Sequence, residues 1–212
     1  MNTLKKGIRL TPRLLSALRM TGNAQSVVDI GCDHGRLSAA LLQSDPSRFV
    51  TATDISPDSL AKAARLRDKC GFAGRMDVRL QDGFPSEYAK APDCAVIAGM
   101  GGMLIADIIA RGMDICRGLK RIVMQPMRGV EELRRFLFNA GFSAVDEELV
   151  LDSGRIYQLL AYRYTGSPRA TPGPAMANMG QKLGPKPASY QASIPPTMIP
   201  LDSTGGRGAS HL

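Results

Sequence analysis

The sequence predicts an α/β fold, a mainly parallel seven-stranded sheet with helices on both faces and an antiparallel hairpin at its C-terminal end. Three observations predict it. Short β-branched runs alternate with helix-length amphipathic segments, as in βαβ units. The last two strand segments are separated only by Asp152-Ser153-Gly154, too few residues for a parallel crossover. Finally, Val27-Val28-Asp29-Ile30-Gly31-Cys32-Asp33-His34-Gly35 reads as a buried strand that turns sharply, through two glycines, into a helix.

Each element follows from local pattern. Leu10, Leu14, Leu15 and Leu18 recur at helical spacing, and Pro12 fits only a first turn, so a helix is expected over 12–19 with Thr11 as its cap, near the mouth of a cleft. Strand 27–31 leads to helix 36–43. Strand 49–53 leads to helix 57–70, where Ser56 is the cap and Pro57 the first helical residue. A third strand covers 76–80, and a fourth, 94–98, precedes a Gly-rich loop and a helix over 103–116. Strand 122–125, helix 130–140, strand 142–149 and strand 156–164 complete the fold.

Composition bounds the function. With 212 residues and 44% hydrophobic content the chain can form one domain plus a small appendage. The expected organisation is a basic N-terminal helical segment over 1–22, a ligand-binding domain over 23–165 and a disordered Pro/Gly-rich tail over 166–212. The longest apolar region, 95–110, is broken by Asp107 and three glycines and falls short of a membrane span, and the N-terminus lacks a signal-peptide core, so a cytoplasmic location and no membrane partner are expected. Cys32, Cys70, Cys94 and Cys116 form no Cys-x-x-Cys pair, and His34 and His211 are the only histidines. Neither a metal site nor a disulfide framework is expected, and the cysteines read as small hydrophobes, Cys94 above all. A monomer is expected. The net charge of +8 and pI near 9.6 point first to nucleic acid, then to an anionic metabolite or membrane surface, with an ordinarily basic soluble protein as the plain reading. Lys5, Lys6, Arg9, Arg13 and Arg19 all precede the first acid, Asp29, which predicts an uncompensated positive N-terminal face.

The loop after the first strand narrows the ligand. A pyrophosphate wants Gly-x-Gly-x-x-Gly, whereas this chain has Gly31-x-x-x-Gly35 flanked by Asp29 and Asp33. Carboxylates repel a pyrophosphate but suit a ligand bearing an ammonium and a sulfonium, which is S-adenosylmethionine. Asp54, ending the second strand with Ile55 beside it, is placed to accept from ribose hydroxyls. The stretch resembles motif I of the class I (Rossmann-like) methyltransferases, whose sheet also ends in an antiparallel hairpin. The resemblance implies that Asp82, with Gly83, meets the cofactor's adenine amine; a plain Asp-Gly turn is the alternative. Gly99-Met100-Gly101-Gly102 replaces the Asn-Pro-Pro-Tyr type clamp of exocyclic-amine methylases with a nearly side-chain-free loop. Gln125, before Pro126, offers a donor and an acceptor that match an adenine edge, or else satisfies loop backbone.

Together, Asp29-Ile30-Gly31-x-Asp33-His34-Gly35, Gly99-Met100-Gly101-Gly102 and Gln125-Pro126 resemble the TrmK-type family of bacterial tRNA (adenine-N1) methyltransferases. That resemblance implies methyl transfer from S-adenosylmethionine to N1 of an adenine at position 22, in the tRNA D-arm. It implies catalytic roles for Asp33 and Gln125. Cofactor contacts fall to Asp29, Gly31, Asp33, His34, Gly35, Asp54, Ile55, Asp82, Gly83, Gly99, Met100 and Gly101, and RNA contacts to Arg9, Arg13, Gly102, Gln125 and Pro126. Asp33 serves either the product's cationic ring or the cofactor's ammonium; His34 orients Asp33, contacts RNA or simply packs. The family continues into a helical C-terminal domain. Here residues 179–185 look like its lead-in, after which the resemblance stops, so a truncation or reading-frame shift after about Pro185 is expected. A methyltransferase acting on another RNA or a small molecule, and a non-catalytic cofactor- or RNA-binding remnant, are the alternatives.

Overall fold

The computed structural model describes residues 7–166. Lys5, Lys6 and all of the proposed tail except Gly166 lie outside the described residues. The elements run α1 (Pro12–Met20), β1 (Ser26–Ile30), α2 (Arg36–Ser44), β2 (Phe49–Asp54), α3 (Pro57–Cys70), β3 (Met76–Leu80), β4 (Cys94–Met100), α4 (Gly102–Arg111), α5 (Met113–Cys116), β5 (Arg121–Pro126), α6 (Val130–Asn139), β6 (Phe142–Asp152) and β7 (Arg155–Tyr164). The sheet order is β3-β2-β1-β4-β5-β7-β6. Strands β1 to β5 pair in parallel, and β7 pairs antiparallel with both β5 and β6. The predicted α/β class with its terminal hairpin is what the chain forms.

Alternation along the buried strands splits the core in two. Val27, Val50, Val96, Val123 and Leu159 face α1, α2 and α3, with Leu41 packed among them. Their neighbours Val28, Ile97, Ile122 and Leu160 face the other way, onto Ile105, Ile109, Leu133 and Leu137 of α4 and α6. Chain winding reverses between β1 and β4, which opens a crevice at the carboxyl ends of the strands.

Three expectations need correction. The single helix over 103–116 is two, because the chain breaks at Gly112, where the ring of Phe84 occupies the space a Cβ would need. Thr11 precedes α1 but makes no side-chain cap bond, whereas Ser56 accepts from Ser59 N–H as expected. The hairpin strands are longer than predicted, meeting at a tight turn in which Ser153 and Gly154 both take positive φ, +51° and +78°, the backbone that suits right-handed strand twist. Burial pushes the Cys94 and Cys116 thiols up to about 12, which leaves them unreactive. No described helix is long and apolar enough to cross a membrane.

The start of α4 is packed against the loop that starts α6. Gly102 N–H donates to Arg128 O (2.8 Å), and a Cβ on Gly102 would overlap the carbonyl of Gly129. A Gly102→Ala substitution therefore forces two backbones apart and should lower stability by about 2 kcal/mol, read as a lower urea midpoint with an unchanged m-value.

Candidate cofactor and substrate site

The site is built where β1 and β2 end. Gly31 and Cys32 N–H both donate to Thr53 O (2.8 and 2.9 Å), and Gly31, Asp33 and Gly35 adopt φ of +71°, +51° and +68°. These turns bring Asp33 N–H onto Asp54 Oδ2 (2.9 Å), while Ser56 N–H donates to Asp54 Oδ1 (2.9 Å). Each Asp54 oxygen thus takes one amide and keeps lone-pair capacity. Ile55, beside it, is 71% exposed, an apolar side chain left facing outward at the strand end. Gly31 takes a positive φ that favours glycine, and the terminal methyl of Met100, reaching over from β4, rests in the space beside it. Gly35 has a packing task, with Ala63 of α3 against its open face.

Asp29 lies inside β1, only 3% exposed, and accepts a 2.6 Å bond from Ser38 Oγ of α2. Burial raises its pKa to about 6; the Ser38 hydroxyl and amide pull it down, and the Asp54 charge pushes it up further. A cavity of about 90 Å³ opens between Asp29, Gly31, Asp33, Leu14, Arg36 and Ala98. The Asp33 carboxylate is 72% exposed, 3.5 Å from Ser59 Oγ and 3.5 Å from His34 Nε2. His34 in turn meets Lys62 Nζ at 3.1 Å, so its partners are Asp33 and α3. Asp82 is held by Arg111, both guanidinium nitrogens at 3.1 Å, and Gly83 O accepts from Thr53 Oγ1 at 3.1 Å.

The second wall is the edge of β4 and β5. Gly99 takes φ +80°, the register breaks between Ala98 and Met100, and Met127 N–H donates to Met100 O (2.8 Å), which ties the Gly-rich loop to the turn after β5. Gln125, paired in register with Ala98, is 1% exposed. Its amide nitrogen donates to Pro126 O (3.1 Å) and faces Met127 Sδ (3.5 Å), and its oxygen accepts from Arg13 Nη1 (3.4 Å). Arg13 also meets Asp152 at 3.4 Å and lies 5.1 Å from the Tyr157 ring centroid.

Charge is where the structure departs most from the sequence reading. The N-terminal face is not uncompensated: Asp152 takes Arg13, and Glu148 takes Arg19 (2.8 Å) and Ser16 Oγ. Ser16 and Arg19 together hold the Glu148 carboxyl below its usual range. The acids alternate on β6 at 148 and 152 around buried Val150, so a one-face reading of that strand would have shown them. Arg9 remains exposed. At the carboxyl edge, Arg36, Arg128 and Arg155 are exposed and their side chains have no hydrogen-bond or ion-pair partner among the described residues, which no local motif signals.

Because the Asp29 pKa is raised on folding, the folded chain binds a proton more tightly than the unfolded one between pH 4 and 6. Its contribution to stability therefore falls as pH rises through that window and stays low above it, by about 3 kcal/mol in all. Asp29→Asn, which preserves the acceptor for Ser38, should remove that slope and gain stability at pH 7 relative to the parent, measured by urea unfolding across pH 4–8.

Comparison with known proteins bears on the family and the fold. A Bacillus subtilis protein named tRNA (adenine(22)-N(1))-methyltransferase is 29% identical over 153 residues, covering 72% of this chain and 64% of the relative. The chain thus spans just under two thirds of that relative's length. The crystal structure of the B. subtilis M1A22 tRNA methyltransferase TrmK superposes with a TM-score of 0.69 at 28% identity, over 74% of this chain and 68% of that one. A Streptococcus pneumoniae structure in complex with S-adenosyl-L-methionine shares the fold, with a TM-score of 0.73 at 22% identity over 84% of each chain. A family model described as "Methyltransferase domain" matches residues 10–160, and on that match the chain belongs to the methyltransferase domain family.

Proposed function

We propose that this chain is an S-adenosylmethionine-dependent methyltransferase acting on N1 of an adenine in tRNA, at position 22, in the cytoplasm. The observation that carries the reading is the junction of the two strand ends, where Asp54 fastens the Gly31-Asp33 turn through the Asp33 amide and keeps acceptor capacity outward. The substrate follows from the name of the B. subtilis relative. The proposed organisation is an N-terminal segment over 1–22, the methyltransferase domain over 23–165 and a tail over 166–212.

The donor set fits the cofactor. Asp54 offers its remaining lone pairs to two ribose hydroxyls, Ile55 an apolar face to the adenine ring, and Asp82 the lone pairs Arg111 leaves free to the adenine amine. Gly31 and residues 99–101 let backbone approach the methionyl part. Bound there, S-adenosylmethionine supplies an electrophilic sulfonium methyl. Adenine N1 carries a free lone pair at neutral pH, so the residues need not remove a proton; they align the base and exclude water. Methylation leaves a cationic ring, whose charge Asp33 offsets. A stacked adenine must first swing out, at a cost of a few kcal/mol, which phosphate contacts from Arg36, Arg128 and Arg155 offset.

Incubation of the full chain with labelled cofactor and unmodified tRNA, followed by nucleoside digestion, should yield N1-methyladenosine. Cofactor binding without product would instead mark a non-catalytic remnant. Asp54→Asn should weaken S-adenosylmethionine binding by about tenfold or more in calorimetry, since a charge-assisted acceptor is lost. Raising salt from 50 to 200 mM should weaken tRNA binding by about 40-fold if the three arginines each neutralise one phosphate, and Arg36→Ala should reduce the log–log slope by about one.

A further inference from the structure

Arg13 stands at the carboxyl edge of the sheet, where its side chain bridges the hairpin tip and the turn after β5. Its Nε meets Asp152 Oδ2 at 3.4 Å, and Asp152 is itself buried at the hairpin tip. Its Nη1 reaches both Gln125 Oε1 and Met127 Sδ at 3.4 Å, and Tyr157 covers its guanidinium carbon. Nε and Nη1 are thus engaged by protein, while Nη2 has no hydrogen-bond or ion-pair partner among the described residues.

The bridge fixes an otherwise ambiguous group. A carboxamide can present either oxygen or nitrogen to a given neighbour. Here a cation lies on one side of Gln125 and the Pro126 carbonyl on the other, so flipping the amide would set donor against donor and acceptor against acceptor. From Gln125 the connection continues: Pro126 O takes the amide, and Met127 N–H holds Met100 O at 2.8 Å. Residues 99–102 are nearly all glycine and have few side-chain contacts of their own to fix their path. Leu14, next to Arg13 on α1, and Ala98, paired with Gln125, both line the cavity beside Asp29 and Asp33.

We propose that Arg13 is a positioning residue: anchored by Asp152, it holds the Gln125-Pro126-Met127 turn, and through it the Gly-rich loop at 99–102, in the shape that receives the substrate base. This rests on the methyltransferase reading above, in which that loop flanks the transferred methyl. Lysine cannot replace it, since a point ammonium does not bridge a carboxylate and an amide in a fixed fork.

The test uses Arg13→Lys and Asp152→Asn in the full chain. For Arg13→Lys, kcat on tRNA should fall by about 10- to 100-fold, the scale of a small misplacement at a reacting centre. The tRNA dissociation constant and its salt slope should stay within twofold of the parent. Asp152→Asn, which loosens the anchor, should move kcat in the same direction by less. A several-fold weaker tRNA affinity with a slope reduced by about one would make Arg13 a phosphate ligand and overturn the proposal, as would an unchanged kcat. A second readout needs no turnover: the Gln125 side-chain amide resonances, assigned with Gln125→Ala, should shift and broaden in Arg13→Lys. If the parent makes no N1-methyladenosine, the methyltransferase reading fails by itself, and unchanged amide resonances would then still overturn the positioning role.

Discussion

Asp54 joins what would otherwise be two independent loops. Its carboxylate receives the Asp33 amide from the turn after β1 and the Ser56 amide from the start of α3, both at 2.9 Å. Each is a charge-assisted bond, stronger than its neutral counterpart, and each uses an amide that the turn leaves without a backbone partner. The unusual dihedrals of Gly31, Asp33 and Gly35 are held because their amides have somewhere to go. Everything at the carboxyl edge depends on that fastening. It sets where Asp33 projects, opens the face of Gly31 to Met100, and lets α2 start under the turn.

Asp29 illustrates the opposite economy. Its carboxylate sits in the strand, solvated by one hydroxyl and one amide of Ser38, and burial raises its pKa to about 6. Such a group lowers stability at neutral pH, so its value lies elsewhere. A carboxylate below the turn directs negative potential into the small cavity above it. Stability at this position is exchanged for a field.

The sequence revealed most of the fold because strand and helix periods are local: the alternation from β1 to β7, the proline-led starts of α1 and α3, and the short hairpin turn all lie within a few residues of their cause. The candidate site was legible at the level of backbone, through the glycines and the acids at strand ends. What the sequence hid was pairing across the chain. Arg13 and Asp152 are brought together only because α1 lies across β5, β6 and β7, and Arg111 reaches Asp82 only because α4 runs back past the loop after β3. The break at Gly112 was hidden for the same reason, since the ring that forbids a side chain there belongs to Phe84.

Those hidden pairs change where the positive charge is available. A run of cations ahead of the first acid looks like a nucleic-acid arm, but β6 places Glu148 and Asp152 under α1, so two of its arginines are spent in joining the helix to the hairpin. Charge paired in this way is neutralised locally, and it contributes little to long-range attraction. Cations left without a side-chain partner among the described residues include three around the carboxyl edge, Arg36 at the start of α2, Arg128 after β5 and Arg155 at the start of β7. Arginines spaced around one edge can neutralise several phosphates of a folded RNA while leaving the crevice between them open for a single base, which a basic helix lying across one side of the sheet could not do.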